Sequence, residues 1–227
     1  MRKLRVVITG ANRGIGLALC KVYLQKNAEV IGVCRNVTEA LDSLNIEIID
    51  GIDISLATGV IRLKKVLADR KIDVLINNAG ILRSQSFQSL ASGQLDYVGI
   101  TEQFEVNTLG PLRVVEALYS NLVAGSKIAM ITSRMGSIED NTSGGSYGYR
   151  MSKCALNIAS KSMAVDFKAQ GISVAILHPG YVQTEMVNFS GDISSDLSAE
   201  RLAQRVDELN LENTGTFWHS NGEILPW

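Results

Sequence analysis

The 227-residue chain carries 22 Lys and Arg against 23 Asp and Glu, for a formal net charge of −1, with 46% apolar and 20% charged residues. That balance supports an ordinary buried core and excludes an intrinsically disordered chain. It also excludes a protein recruited by bulk charge, so neither nucleic acid nor a membrane surface is an expected partner.

At roughly 150 residues per domain, one domain over 1–227 is expected. Cys20, Cys34 and Cys154 are odd in number and far apart, there is no CxxC, and the only histidines are His178 and His219. Neither a disulfide framework nor a metal site is expected, and reduced cysteines suit a cytoplasmic protein. The apolar run in MRKLRVVITG is too short for a signal peptide, and no stretch approaches the roughly 20 apolar residues of a membrane span.

Short apolar runs alternate with helical patterns. Residues 4–9 (LRVVIT) read as a strand, and Ile15, Ala18, Leu19 and Val22 then follow helical spacing. Residues 29–34 (EVIGVC) form a second strand and 46–49 a short third. A helix over 56–70 leads to a fourth strand at 73–76 (DVLI). A helix over about 101–123 precedes a strand at 127–132 (KIAMIT), and another over 149–169 precedes a strand at 172–177 (ISVAIL). A weaker helix at 199–209 and a strand near 216–218 follow. Continuous apolar strands alternating with helices predict an α/β fold, a doubly wound parallel sheet of about seven strands with ligands at its carboxyl edge. The irregular stretches 82–99 and 136–148 both follow predicted strands and so fall on that edge.

Residues 9–16 (TGANRGIG) lie between the first strand and the first helix. Glycines there permit a tight turn and close approach of a pyrophosphate, while the helix N-terminus offers free N–H groups to the anion. The spacing, G-x-x-x-G-x-G, differs from the G-x-G-x-x-G dinucleotide fingerprint. The second strand ends Val33-Cys34-Arg35-Asn36, without the carboxylate that holds the ribose of NAD. Arg35 and Arg13 are instead suited to a 2′-phosphate, so NADP(H) is preferred and NAD(H) is the alternative.

Tyr149 and Lys153 are four residues apart on one helical face. An ammonium beside a phenol favours phenolate and lowers the tyrosine pKa, which suits an acid/base for a carbonyl or alcohol. Tyr147 has Met151 at the same spacing and lacks such a partner.

Taken together, these motifs resemble the short-chain dehydrogenase/reductase family in its single-domain, Rossmann-type form. The glycine loop is similar to its TGxxxGxG, and Asn77-Asn78-Ala79-Gly80 to its NNAG. Asn107 matches its helix asparagine, Ser133 its active-site serine, and Tyr149 and Lys153 its YxxxK. Pro179-Gly180 followed by Thr184 matches the segment after the sixth strand. The stretches 179–186 (PGYVQTEM) and 221–227 (NGEILPW) are most similar to C-factor-like and carbonyl-reductase-like members. Two departures stand out: Tyr149 lies 16 positions after Ser133, and a short gap from Arg35 to Asp53 leaves room only for a helical stub.

The resemblance implies that Tyr149 is the acid/base, that Lys153 lowers its pKa and binds the nicotinamide ribose, that Ser133 donates to the substrate oxygen, and that Asn107 holds a water linking Lys153 to solvent. It implies a cofactor bound by Gly10, Asn12, Arg13, Gly14, Ile15 and Gly16. Arg35, Asp53 (at the adenine amino group) and Ile54 would join them, with Asn78, Ala79 and Gly80 by the adenine ribose. Tyr149, Lys153, Pro179, Gly180, Val182 and Thr184 would meet the nicotinamide end. The expected reaction is NADPH-dependent reduction of a small carbonyl compound. The alternatives are a reductase or dehydrogenase for a specific double bond or alcohol, and a C-factor-like NADP(H)-binding sensor of low turnover. Met186, Phe189, Phe87, Tyr97 and Trp218 are candidates to line the substrate site, with core packing as the other reading of each. His178 needs no catalytic role. A homo-oligomer pairing through the two long helices is expected, as is a fairly open pocket.

Overall fold

The computed structural model describes residues 2–227. Seven strands, β1 (Arg5–Thr9), β2 (Glu29–Val33), β3 (Glu47–Ile49), β4 (Ile72–Asn77), β5 (Leu122–Ile131), β6 (Ser173–His178) and β7 (Phe217–His219), form one sheet in the order β3-β2-β1-β4-β5-β6-β7. Every ladder is parallel. The helices are α1 (Gly14–Gln25), α2 (Glu39–Asp42), α3 (Ala57–Leu67), α4 (Phe87–Ala91), α5 (Tyr97–Phe104), α6 (Gly110–Leu118), α7 (Tyr147–Phe167) and α8 (Ser195–Glu208). Successive side chains of a strand point to opposite faces. Val6 and Ile8 accordingly pack with Leu19 of α1 and Leu202 of α8. Val7 between them packs with Leu63 of α3, Val114 of α6 and Leu156 of α7. The apolar β1 run is therefore continuous because both faces are covered. The doubly wound fold read from the sequence is the fold observed.

Chain direction across the sheet reverses between β1 and β4, which opens a crevice at their carboxyl ends. The two loops there are stitched together. The Thr9 hydroxyl accepts from the Asn78 and Ala79 N–H groups at 3.0 and 3.2 Å, and Asn78 Nδ2 donates to the Thr9 and Gly10 carbonyls at 3.1 and 3.2 Å.

Three local expectations need correction. The helix expected over 101–123 is two helices, α5 and α6, joined by a π-turn over Glu105–Leu109. Pro111 brings no N–H to the Asn107 carbonyl four residues earlier, and the Gly110 N–H donates to Glu105 at the wider spacing. Second, the strand expected over 127–132 begins at Leu122, which pairs with Ile72. The pairing then shifts register from Ile72–Leu122 to Val74–Lys127, so the extra residues bulge out of β5, where Ser126 Oγ donates to the Ile72 carbonyl at 2.7 Å. Third, the irregular stretch 82–99 contains α4 and the start of α5. The helix between β2 and β3 is the four-residue stub α2.

Candidate active site

The crevice is a cavity of about 680 Å³ lined by Gly10, Asn12, Arg13, Gly14 and Ile15, by Arg35, Asp53 and Ile54, by Asn78, Ala79 and Gly80, by Tyr149 and Lys153, and by Pro179 and Thr184. Gly16, Asn107, Ser133, Gly180 and Val182 are not part of that lining. Gly16 serves packing, since a Cβ there would fall 2.1 Å from the Gly10 carbonyl oxygen. Gly180 has φ +95 and backs onto Ile193, and Val182 bridges to Ile193. Lys21, Asn36, Thr38 and Glu185 line the cavity without having been singled out from sequence. Thr38 had a detectable signal, because it caps α2 by accepting from the Leu41 N–H at 3.3 Å while donating to the Asn12 carbonyl at 2.7 Å.

The glycine loop presents an open helix end. Arg13 is the N-cap residue of α1 but makes no side-chain cap bond, and the first turn holds no acidic residue. Gly10, at φ +66, has no room for a Cβ, which would lie 2.9 Å from Ala79 Cα. Free N–H groups, a positive dipole end and a backbone surface without side chains fit a dinucleotide pyrophosphate. Arg13 forms an ion pair with Glu185 across the mouth of the cavity. Arg35 is 62% exposed in its side chain and stands 4.0 Å from Asp53. Burial raises the Asp53 pKa, but bonds from the Ser55 hydroxyl and N–H, with Arg35 adding its charge, leave it below the usual carboxylate value. One oxygen of Asp53 is thus already held by Ser55.

Lys153 and Tyr149 emerge from α7 beside the end of β5. Lys153 Nζ donates to the Ile131 carbonyl at 3.0 Å, and Thr132 Oγ1 donates to Asn157 Oδ1 at 2.6 Å. Gly136 lets the turn behind Ser133 press against α7, where a Cβ would lie 2.8 Å from the Lys153 carbonyl carbon. The Ser133 oxygen accepts from the Met135 N–H at 3.2 Å. Asn107 donates to the Ile81 carbonyl and Ser152 Oγ and accepts from the Ile81 N–H, at 2.9, 3.1 and 2.8 Å. Both of its amide protons are therefore committed.

The electrostatics depart from the simple expectation that Lys153 lowers the Tyr149 pKa. Burial pushes Tyr149 up to about 12, only partly opposed by the Ser133 side chain. Burial also pushes Lys153 down, to about 8. The ammonium sits 5.8 Å from the phenol ring centroid. Burial thus keeps Tyr149 a phenol that holds its proton tightly, and disfavours the Lys153 ammonium that would draw that proton off. His178 is pushed down to about 3, chiefly by burial, and packs edge-on against His219 at 4.9 Å, outside the cavity lining. Met186 and Phe189 line the cavity. Phe87 and Tyr97 are exposed beyond it, and Trp218 packs against the α1 and α8 side of the core.

A model of the short chain dehydrogenase family matches residues 4–194. The chain belongs to that family. It is accordingly an oxidoreductase. It is 36% identical over 228 residues to 1-hydroxy-2-glutathionyl-2-methyl-3-butene dehydrogenase of Rhodococcus sp. (strain AD45), covering 98% of this chain and 99% of that one. It is 42% identical over 158 residues to the C-signal protein of Myxococcus xanthus, covering 69% of this chain and 93% of the relative. The NADPH-bound carbonyl reductase from chicken fatty liver superposes with a TM-score of 0.88 at 26% identity, covering 100% of both chains. No helix among the described residues is long and apolar enough to cross a membrane, and no cluster of three or more His, Cys, Asp or Glu side chains among them is arranged to hold a metal.

Proposed function

We propose that the chain is an NADP(H)-dependent reductase that converts an aldehyde, ketone or quinone-like carbonyl to an alcohol. The observation that carries this reading is geometric: Tyr149 and Lys153 line one cavity with the open α1 terminus, the ammonium 5.8 Å from the phenol ring centroid. Gly10 and Asn12 to Ile15 would hold the pyrophosphate, with Gly16 letting α1 pack close beneath them. Arg13 and Arg35 would hold the 2′-phosphate, supported by the absence of a carboxylate at the end of β2. Asp53, Ile54, Asn78, Ala79 and Gly80 would lie along the adenosine half, and Pro179, Gly180, Val182 and Thr184 along the nicotinamide half. Bound NADPH supplies the hydride. Tyr149 gives its proton to the carbonyl oxygen, Ser133 donates a hydrogen bond to the same oxygen, Lys153 anchors the ribose and supports the phenol, and Asn107 positions a water for proton resupply. Met186 and Phe189 give the substrate side an apolar wall.

A second reading has the same site oxidising one specific alcohol, and it is favoured by full-length similarity to the Rhodococcus dehydrogenase. Oligomerisation through α5, α6 and α7 is part of the proposal, supported by exposed Leu112, Ile158 and Val165. A monomeric mass in solution contradicts it. Cytoplasmic placement is proposed on three unpaired cysteines. The deciding experiment is a carbonyl panel run with NADPH and NADH side by side. Turnover with NADPH well above NADH supports the reading. Binding of NADPH without reduction of any carbonyl favours the sensor alternative.

A further inference from the structure

The helix that carries Tyr149 and Lys153 has no cap of its own. Ser146, at its N-cap position, is left-handed (φ +45) and makes no side-chain cap bond. The first N–H groups of a helix need partners when buried. Here they come from Gln85, more than sixty residues earlier in the chain. The Ser146 N–H donates to the Gln85 carbonyl at 2.7 Å, and the Gly148 N–H donates to Gln85 Oε1 at 3.0 Å. Gln85 is 7% exposed.

The segment that delivers Gln85 is itself clipped down. Asn107 bonds both backbone polar groups of Ile81, and Gln103 Oε1 accepts from the Arg83 N–H at 2.9 Å. Residues 103 and 107 are one helical turn apart, about 6 Å of rise, and residues 81 and 83 are two extended residues apart, about 6.6 Å. The two periods match, so the strap from Ile81 runs along α5 and its π-turn and ends at α7. Gly148 is in tight contact with α5, where a Cβ would fall 2.6 Å from Gln103 Nε2. Three amide side chains, Asn107, Gln103 and Gln85, thus fix the height of the first turn of α7, one residue before Tyr149.

We infer that Gln85 is a positioning residue for the reaction, acting as a cap from outside the helix that sets the placement of the Tyr149 phenol. The inference rests on the reading of Tyr149 as proton donor. Misplacement of a reacting group by about 1 Å costs on the order of 100-fold in rate, and loss of one end-of-helix bond is expected to cost about 10-fold in kcat.

The test compares Gln85→Met, which keeps the length and removes the acceptor, with Gln85→Glu, which keeps an acceptor at a helix end that favours negative charge. Steady-state carbonyl reduction, NADPH binding by fluorescence, and amide hydrogen exchange over residues 146–150 are read on the full chain. The expected result is a kcat about 10-fold lower in Gln85→Met, NADPH affinity within about 2-fold of the wild type, faster exchange confined to 146–150, and recovery in Gln85→Glu. The inference is overturned if Gln85→Met leaves kcat and exchange unchanged, if NADPH affinity falls in step with kcat, or if Gln85→Glu behaves as Gln85→Met does. Absence of carbonyl reduction in the wild type sinks the functional reading instead, and the exchange comparison still judges the cap.

Discussion

Two helix N-termini face the same edge of the sheet and are treated in opposite ways. That of α1 is left open, with an N-cap arginine that makes no cap bond and glycines where side chains would intrude. That of α7 is closed by Gln85 and packed against α5. Unpaired N–H groups cost free energy when buried, and an open helix end offers them to an anion. A capped end holds its helix still. The two halves of the candidate site therefore rest on the same backbone feature, open in one and closed in the other.

The strongest way to break this contrast is to close the open end. Arg13 has extended dihedrals (φ −160, ψ 173) at the N-cap position, where an aspartate would bond the first free N–H groups of α1. Arg13→Asp is expected to stabilise the fold by no more than about 1 kcal/mol in thermal or denaturant unfolding, the cap gained being partly offset by the lost Glu185 ion pair, while NADPH affinity measured by fluorescence titration falls by more than about 100-fold. Stabilisation without loss of NADPH binding would mean that α1 is not the pyrophosphate site.

Arg35→Ala probes the far end of the same half. It is expected to weaken NADPH by roughly 10- to 100-fold and leave NADH nearly unchanged, as loss of one charge-assisted phosphate contact requires. Parallel titrations with the two nucleotides decide it.

The pH dependence sharpens the other half. Tyr149, at about 12, remains a phenol throughout the working range, whereas Lys153 titrates at about 8. Raising the pH through about 8 removes the ammonium, so kcat/KM for reduction should be flat below about 7 and fall above 8. A profile rising through that range would place the critical group elsewhere.

The smallest expected effect is at Glu185. Its ion pair with Arg13 is exposed on both sides and worth at most about 1 kcal/mol. Glu185→Gln frees Arg13 and should tighten NADPH by no more than about 5-fold, with NADH unaffected in the same titration.

The glycine loop, NNAG and the Tyr149–Lys153 pair were legible because each depends on residue types within a few positions of one another. So was the stub after Arg35, since the chain length there permits nothing longer. The strap from Ile81 to Gln85 was not legible, because its meaning lies in bonds to Gln103, Asn107 and Gly148, which are 20, 26 and 63 residues away from their partners. The π-turn had one local sign, Pro111, but a proline in a helical pattern also fits a first turn. The tyrosine's high pKa was hidden because the i,i+4 spacing shows the ammonium and not the burial that raises it.

The central claim is that Tyr149 donates the proton in an NADPH-driven carbonyl reduction. Its most direct test is NADPH oxidation by wild type and Tyr149→Phe across one carbonyl panel, with NADPH binding measured on both. Tyr149→Phe is expected to lose about 10²–10⁴-fold in kcat/KM with nucleotide affinity retained. Undiminished turnover by the phenylalanine variant would contradict it.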